Sequence, residues 1–262
     1  MQTHIVARKG DFMSDAVFFI AGKSRALDFA SDILTDCGFR VLTKPDSRVT
    51  HLLLPVPSFD ADGSVKGSVC LASVLESLPD NITVIGGNLE HPALSGYQKI
   101  DLMQDDDYVA KNADITAHCA IRLAMQSLPV TLQDCKILVI GWGRIGKCLA
   151  KHLRQLGARV FVSARKSSDR AMLRALGYDA CDIAHDSDLI CNFRVIFNTV
   201  PVMVLSEPIC NRNCLKVDLA SKPGIGGDDV IVARGLPGKD VPESSGSLIA
   251  GRIIHILEER KA

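Results

Sequence analysis

Short, fully apolar runs alternate with helical patterns along most of the chain. The first run, residues 16–21, stops at Gly22, and residues 24–37 then carry apolar side chains at helical spacing. Strands that are apolar on both faces and alternate with helices are typical of a parallel sheet with both sides covered. We therefore predict an open α/β domain over residues 1–112. Its further strands are predicted at 39–42, 49–54, 83–85 and 98–102, and its short second helix at 69–78.

The alternation continues after a long helical pattern at residues 112–128, which Pro129 ends. We predict a connector helix over 113–132 and a second α/β domain over 133–243. A C-terminal amphipathic helix over 244–262 is expected to pack back toward the first domain. The strands of the second domain are predicted at 136–140, 159–162, 179–183, 195–198, 216–220 and 229–233.

A glycine pattern, Gly141-x-Gly143-x-x-Gly146, lies between the first strand and the first helix of the second domain. In this context the pattern indicates a dinucleotide site, because the backbone can approach a pyrophosphate at the free N–H groups of the helix. The alternative is a buried turn with no ligand. The predicted fold class is thus α/β, with two open parallel-sheet Rossmann-like domains, a cleft between them and long connecting helices. The predicted cofactor contacts in this turn are Gly141, Trp142, Gly143, Arg144, Ile145 and Gly146.

The end of the next strand favours NADP over NAD. NAD-binding folds usually carry an acid there for the ribose 2′-hydroxyl, but no acid occurs before Asp169. Instead Arg165 and Lys166 place cations where a 2′-phosphate would lie, with Ser163 as a hydroxyl donor. Two alternatives remain: a solvated pair of loop charges, or an arginine that stacks on the adenine ring without selecting the cofactor.

Further candidates follow the later strands, because ligands bind at the carboxyl edge of open α/β sheets. Thr199, Val200 and Pro201 are expected to contact ribose or nicotinamide, although a simple proline-closed turn explains Thr199 equally well. Asp218 lies within an apolar strand and needs hydrogen bonds there, so it either holds a loop or acts directly. The loop that follows contributes Ala220 as a cofactor contact and Ser221 and Lys222 as catalytic candidates.

Other candidates lie outside these strand ends. His118, on the connector helix, is a candidate proton relay, with a packing histidine as the alternative. Arg25 is a candidate for a substrate carboxylate or an ordinary helix-start residue. Ser244 and Ser245 are expected to cap the last helix and, through its N-terminus, to bind a carboxylate. Residues 235–238 are predicted to form a ligand-facing loop.

The composition narrows the classes of function. Thirty basic residues balance thirty acidic ones, so no global attraction to nucleic acid or an anionic membrane is expected. No apolar run has the length of a membrane span, and the N-terminus lacks a signal-peptide core. Nine scattered cysteines indicate a reduced, cytoplasmic protein. Because the closest pair, Cys210 and Cys214, lacks a second pair of ligands, we expect no metal.

Several stretches of the second half match one known family in order and spacing. They are residues 139–146, 158–167, 197–201, 217–224 and 235–238, with Pro242, Ser245 and Gly246. On these stretches the chain resembles the A-type subunit of dipicolinate synthase, an enzyme family of dipicolinate biosynthesis in sporulation. The resemblance implies an NADP-dependent oxidoreductase acting on a 4-hydroxy-tetrahydrodipicolinate-like cyclic dicarboxylate. It also implies a small-molecule substrate, a homo-oligomer and, for a partner, the B-type subunit of dipicolinate synthase.

The chain departs from the family pattern at two places that the resemblance would assign to the substrate. His118 stands where the family commonly has Glu, and residues 22–25 replace an Asp-Arg-Arg-like run. One alternative is therefore a non-catalytic NADP-binding protein with a sensor or regulatory role. Another is a D-2-hydroxyacid dehydrogenase-like enzyme, but no histidine occurs between His185 and His255, where that class carries its acid/base.

Overall fold

Eleven short strands alternate with helices in the part of the chain that the structure, a computed structural model, describes: residues 15–67, 70–183, 187–206 and 213–260. The N-terminal residues 1–14, His185 and Cys210 lie outside these described residues. The strands are β1 Val17–Ile20, β2 Arg40–Leu42, β3 His51–Leu53, β4 Thr83–Gly86, β5 Gln98–Asp101, β6 Lys136–Ile140, β7 Arg159–Ser163, β8 Asp179–Cys181, β9 Val195–Asn198, β10 Leu215–Asp218 and β11 Val230–Val232. The α-helices are α1 Arg25–Asp36, α2 Leu71–Glu76, α3 Asp106–Ser127, α4 Arg144–Gln155, α5 Ser167–Ala175, α6 Leu236–Asp240 and α7 Pro242–Glu259.

The strands form two separate parallel sheets, one in each of two compact units. Unit 1 comprises the chain up to Asn112 together with the segment from Pro237 onward, and unit 2 comprises Ala113–Leu236. The sheet of unit 1 has the order β2-β1-β3-β4-β5, and that of unit 2 has the order β11-β10-β9-β6-β7-β8. The prediction of two open, parallel-sheet, Rossmann-like α/β domains is confirmed.

In each sheet the strand order reverses at one point. It reverses between β1 and β3 in unit 1 and between β6 and β9 in unit 2. At such a point the connections leave toward opposite faces of the sheet, which opens a crevice at the carboxyl ends of the two strands. The loops after β6 and β9 are therefore the first place to look for a ligand in unit 2.

Both faces of the first sheet are buried, which explains its uninterrupted apolar strands. Successive residues of a strand point to opposite faces. Leu53 accordingly packs into the cluster that contains the apolar faces of α1 and α7, whereas Leu52 and Leu54 pack into the cluster that contains α2. The C-terminal helix α7 thus completes the core of unit 1.

Two helix starts and one loop differ from the sequence prediction. Helix α3 begins at Asp106, ahead of the predicted residue 113, and the side chain of Asp105 accepts a hydrogen bond from the Tyr108 amide over 2.8 Å. Helix α7 begins at Pro242, since a proline at the first position already has helical φ. Residues 236–240 form the short helix α6, where a ligand-facing loop was predicted.

The predicted caps of α7 are therefore wrong. Ser244 and Ser245 lie inside its first turn, Val241 precedes the helix, and no side-chain cap is formed there. Ser244 is exposed, whereas Ser245 is buried. In the described parts of the chain, we find no helix with both the length and the apolar character needed to cross a bilayer.

Candidate nucleotide-binding site

The glycine turn connects β6 to α4 at the strand-order reversal of unit 2. Gly141 has φ +105°, a conformation that favours glycine, and its N–H donates to the carbonyl of Ser163 over 2.9 Å. A methyl group on Gly146 would overlap the carbonyl oxygen of Gly141, so the helix start packs directly on the turn. These two glycines are required by the turn itself.

Gly143 is different, because neither its backbone nor its surroundings require a glycine. It is exposed, its φ and ψ are −81° and −170°, and a methyl group built on it would meet no atom within 4 Å. It precedes α4, and no side chain caps the helix there. The first-turn N–H groups of a 12-residue helix thus point toward an open position that suits an anion.

Thr199, at the end of β9, packs against this turn. Its hydroxyl donates to the carbonyl of Ile140 over 2.9 Å, and its oxygen lies 2.5 Å from where a Cβ on Gly141 would be. Asn198 braces the same loop, since its side-chain amide exchanges two 3.0 Å hydrogen bonds with the peptide groups of Val200. The structure thus brings Thr199 and Val200 to the glycine turn, while Pro201 lies exposed on the loop.

Asp218, at the end of β10, holds the neighbouring loop in place. Its side chain is 1% exposed and accepts hydrogen bonds from the Asn198 amide and from the N–H groups of Ala220, Gly224 and Ile225. With its acceptor sites used in this way, Asp218 has the loop-holding role of the two that its sequence position allowed. It presents Ser221 and Lys222 as exposed side chains at the carboxyl edge.

The loop after β7 presents two cations that have no side-chain partner among the described residues. Arg165 and Lys166 are both exposed. Arg170 stabilises the backbone of this loop, because its guanidinium donates hydrogen bonds to the carbonyls of Ala164 and Arg165 over 2.7 Å. It also donates to the carboxylate of Asp182 over 2.9 Å. Ser163, by contrast, is buried, and its hydroxyl oxygen accepts the N–H of Ile183 over 3.2 Å.

The ring of Trp142 turns from the glycine turn toward the outer side of α4. It meets Tyr178 edge-on at 5.9 Å between centroids, and the ammonium of Lys147 lies 5.8 Å from its centre. Arg154 covers Tyr178 in turn, at 5.0 Å. The ring of Trp142 therefore packs on the surface of unit 2, and the cofactor contact predicted for Trp142 stays a prediction.

His118 is not brought to the carboxyl edge. It lies on α3 beside Asp114, 3.8 Å from that carboxylate, and its ring is 4.4 Å from the ring of His152 on α4. His152 follows Arg144 by eight positions, or about 12 Å along the helix from the glycine turn. This placement removes the basis for reading His118 as a proton relay at the nicotinamide.

A separate set of cations surrounds the strand-order reversal of unit 1. Arg25 is the exposed first residue of α1, and Ser24 caps the helix by accepting the Leu27 N–H over 3.2 Å. The carbonyl of Lys66 accepts the N–H of Lys23 over 2.9 Å, which brings the loop of residues 58–67 to the end of β1. Burial lowers the pKa of the Lys66 ammonium; the carboxylate of Asp60 opposes this shift, and the charge of Lys239 adds to it.

Lys66 and Lys239 were not among the residues predicted from the sequence. Each lies next to a glycine, Gly67 and Gly238 respectively, and nothing in the local sequence pattern relates the two lysines to each other. The sequence offered only a lysine beside a glycine at each position. This combination is too common in proteins to predict a binding site.

The comparisons with known proteins agree with this geometry. No protein-family model matches the chain. The A-type subunit of dipicolinate synthase from Bacillus subtilis is 27% identical over 242 residues, which cover 83% of this chain and 81% of that protein. The resemblance found in the sequence is confirmed.

Two solved structures show the same fold over nearly the whole chain. The A-type subunit of dipicolinate synthase from Bacillus halodurans has a TM-score of 0.78 at 24% identity, covering 94% of this chain and 99% of that one. A transhydrogenase from Sinorhizobium meliloti has a TM-score of 0.65 at 16% identity, covering 93% and 94% respectively. At these sequence identities, the two solved structures support only the fold. The similarity to dipicolinate synthase is supported by the sequence comparison.

Proposed function

We propose that the chain is an NADP-dependent oxidoreductase that acts on a small cyclic dicarboxylate of the 4-hydroxy-tetrahydrodipicolinate type. The similarity to the A-type subunit of dipicolinate synthase supports an oxidoreductase-like role. The observation that carries the proposal is the open glycine turn at the strand-order reversal, where Gly143 leaves space beside the uncapped start of α4. The bound cofactor would supply the hydride chemistry, and the chain would supply binding and orientation.

NADP is favoured over NAD by the loop after β7. Arg165 and Lys166 are exposed and carry no ion pair among the described residues, so their charges are available to a 2′-phosphate. An arginine can bind a phosphate through two parallel hydrogen bonds. Arg170 holds the backbone of this loop through its carbonyls, which keeps Arg165 in position without using its side chain.

The proposed roles at the reacting end fall to the loop that Asp218 holds. Ser221 and Lys222 are exposed at the carboxyl edge of unit 2, where a hydroxyl and an ammonium can bind or protonate a substrate. Arg25 stays the proposed contact for a substrate carboxylate, because a guanidinium can bind a carboxylate through two parallel hydrogen bonds. The proposed assembly is a homo-oligomer, and the proposed partner is a B-type subunit of dipicolinate synthase, which the family resemblance implies.

The cofactor can be tested by fluorescence, since Trp142 is the chain's single tryptophan and adjoins the glycine turn. We expect NADPH to quench it and to bind at least about tenfold more tightly than NADH. Arg165→Ala should remove most of this preference. Arg159→Ala is the matched control, because Arg159 is an exposed arginine at the opposite end of β7. If Arg165→Ala loses the same factor of affinity for NADPH and for NADH, Arg165 only stacks on the adenine.

The reaction can be tested by supplying NADP and the tetrahydrodipicolinate precursor, with and without a B-type partner, and following nicotinamide absorbance. Turnover that Lys222→Ala reduces would support the proposal. Tight NADPH binding without turnover under any of these conditions would instead favour a non-catalytic NADP-binding role. A panel of D-2-hydroxyacids in the same assay tests the remaining alternative.

A further inference from the structure

Three side chains of metal-binding type meet beside α4 in unit 2, and a fourth lies one helical turn away. Asp114 and His118 lie one turn apart on α3, and Cys148 and His152 lie one turn apart on α4. Positions i and i+4 share a face of a helix, so each helix presents its two groups together. None of the roles proposed above for the glycine turn or the substrate uses this cluster.

The donor atoms are already close to one another. Nε2 of His152 lies 2.6 Å from Oδ1 of Asp114, and Nε2 of His118 lies 3.8 Å from Oδ2 of the same carboxylate. One donor atom from each of the three residues lies within 4.8 Å of the others. Ligand atoms around a tetrahedral zinc ion are separated by about 3.3 Å, given bonds of 2.0–2.1 Å, so small side-chain rotations would complete the geometry.

Cys148 lies next to these groups. It is one helical turn before His152 on the same face of α4, and its thiol hydrogen-bonds to Asp114. Its sulfur is not one of the donor atoms that lie within 4.8 Å of one another, so its side chain would have to rotate toward them to share a cation. Two histidines, one carboxylate and one thiol are a ligand set that suits zinc.

The surroundings of His152 resemble those of a metal ligand. Its side chain is 15% exposed, and its Nδ1 lies 3.4 Å from Oε1 of Gln155. Without a cation, the 2.6 Å contact is a hydrogen bond that the Nε2–H of His152 donates to the Asp114 carboxylate. A bound cation would replace this proton and widen the contact, and the Gln155 oxygen would then hold the Nδ1–H, as the outer partners of metal-binding histidines commonly do.

We propose that Asp114, His118 and His152 form a site for a divalent cation of the zinc class, with Cys148 as its fourth ligand. The cation would join α3 to α4, whose first turn adjoins the glycine turn. The expectation of no metal was based only on the spacing of Cys210 and Cys214. None of the residues of the proposed site belongs to that pair. The site does not depend on the proposed oxidoreductase function.

The full chain, expressed without a histidine tag and treated with chelator, should be titrated with Co²⁺ and then with Zn²⁺ in competition. We expect intense visible bands of tetrahedral Co²⁺, a thiolate charge-transfer band in the near ultraviolet, and displacement of both by Zn²⁺. His118→Ala and His152→Ala should each weaken binding by about tenfold or more. Zn²⁺ at about a hundredfold excess over its Kd should raise Tm by roughly 5 °C.

His255→Ala is the matched control, because His255 pairs with Glu259 one helical turn away at 3.3 Å in the same i, i+4 arrangement. It should bind Co²⁺ like the unmodified chain. Circular dichroism and thermal unfolding without metal verify that each variant is folded. Absence of the tetrahedral spectrum, or equal Co²⁺ affinity in His118→Ala, His152→Ala and His255→Ala, would overturn the site. A tetrahedral spectrum unchanged in Cys148→Ser would overturn the assignment of the fourth ligand.

Discussion

At the scale of single residues, the three glycines of the turn are there for three different reasons. Gly141 needs its positive φ, and Gly146 needs the absence of a side chain against the Gly141 carbonyl. Gly143 needs neither, since its φ and ψ suit any residue and the space around it is open. At the uncapped start of α4, a glycine that the fold does not require leaves space for a ligand to approach the backbone.

This difference gives a prediction with an internal control. Gly143→Ala should fold normally, yet bind NADPH about 10–100-fold more weakly, because the methyl group would occupy the space of the pyrophosphate. Gly146→Ala should lose stability as well as binding, since the turn must shift. Trp142 fluorescence titrations and thermal unfolding separate the two effects. If Gly143→Ala keeps its full affinity for NADPH, the pyrophosphate does not bind at this turn.

At the scale of elements, the packing of α7 on α1 depends on a glycine as well as on the apolar stripe. A Cβ on Gly246 would lie 2.5 Å from the Ala26 carbonyl oxygen and 2.6 Å from Cβ of Phe29, so backbone and side chain of α1 approach α7 directly. Farther along α7, Arg252 donates to both carboxylate oxygens of Asp105 over 2.7–2.9 Å. These contacts fix the C-terminal helix on the core of unit 1.

We therefore expect Gly246→Ala to destabilise unit 1. The loss should be about 1–3 kcal/mol from overpacking, reduced by the better helix propensity of alanine, which is worth about 1 kcal/mol. Gly238→Ala serves as the control in the same unit, since a Cβ there meets no atom within 4 Å. Urea unfolding followed by circular dichroism gives the comparison. A Gly246→Ala variant as stable as Gly238→Ala would contradict the close approach of the two helices.

At the scale of the whole molecule, stability should depend on pH through a histidine in the first sheet. Burial, followed by the charge of Arg260, lowers the pKa of His51 from 6.5 to about 4. Its Nδ1 lies 2.7 Å from the Thr50 hydroxyl, and its ring lies 5.2 Å from that of Phe18. The folded state thus holds His51 neutral at a pH where the unfolded chain takes up a proton.

The direction in which stability changes with pH follows from this difference in proton uptake between the folded and unfolded states. The contribution of His51 is complete above about pH 6.5 and is lost as the pH falls toward 4, with a slope of at most about 1.4 kcal/mol per pH unit. His51→Gln should flatten this part of the stability profile, because the group that takes up the proton is then absent. An NMR titration of the His51 ring protons measures the pKa of this side chain directly. A His51 ring that titrates near its ordinary pKa of 6.5 would refute the prediction.

The apolar pattern was sufficient for the fold class, because an apolar strand requires cover on both faces whatever its neighbours are. The sequence also located the glycine turn and the two cations at 165–166, since these features are local in the chain. Boundaries were less well determined. The starts of α3 and α7 depended on Asp105 and Pro242, which the apolar pattern does not register.

The sequence by itself therefore determined the two parallel-sheet domains, the dinucleotide motif and the family resemblance, all of which are encoded in short stretches. Only the tertiary structure decided which polar residues serve the fold. It assigned Asp218 and Asn198 to the frame of the site, buried Ser163, and left Arg165 and Lys166 free of partners among the described residues. It also placed His118 with Asp114 and His152 rather than at the carboxyl edge. Such assignments depend on contacts between residues far apart in the chain, and no local pattern carries that information.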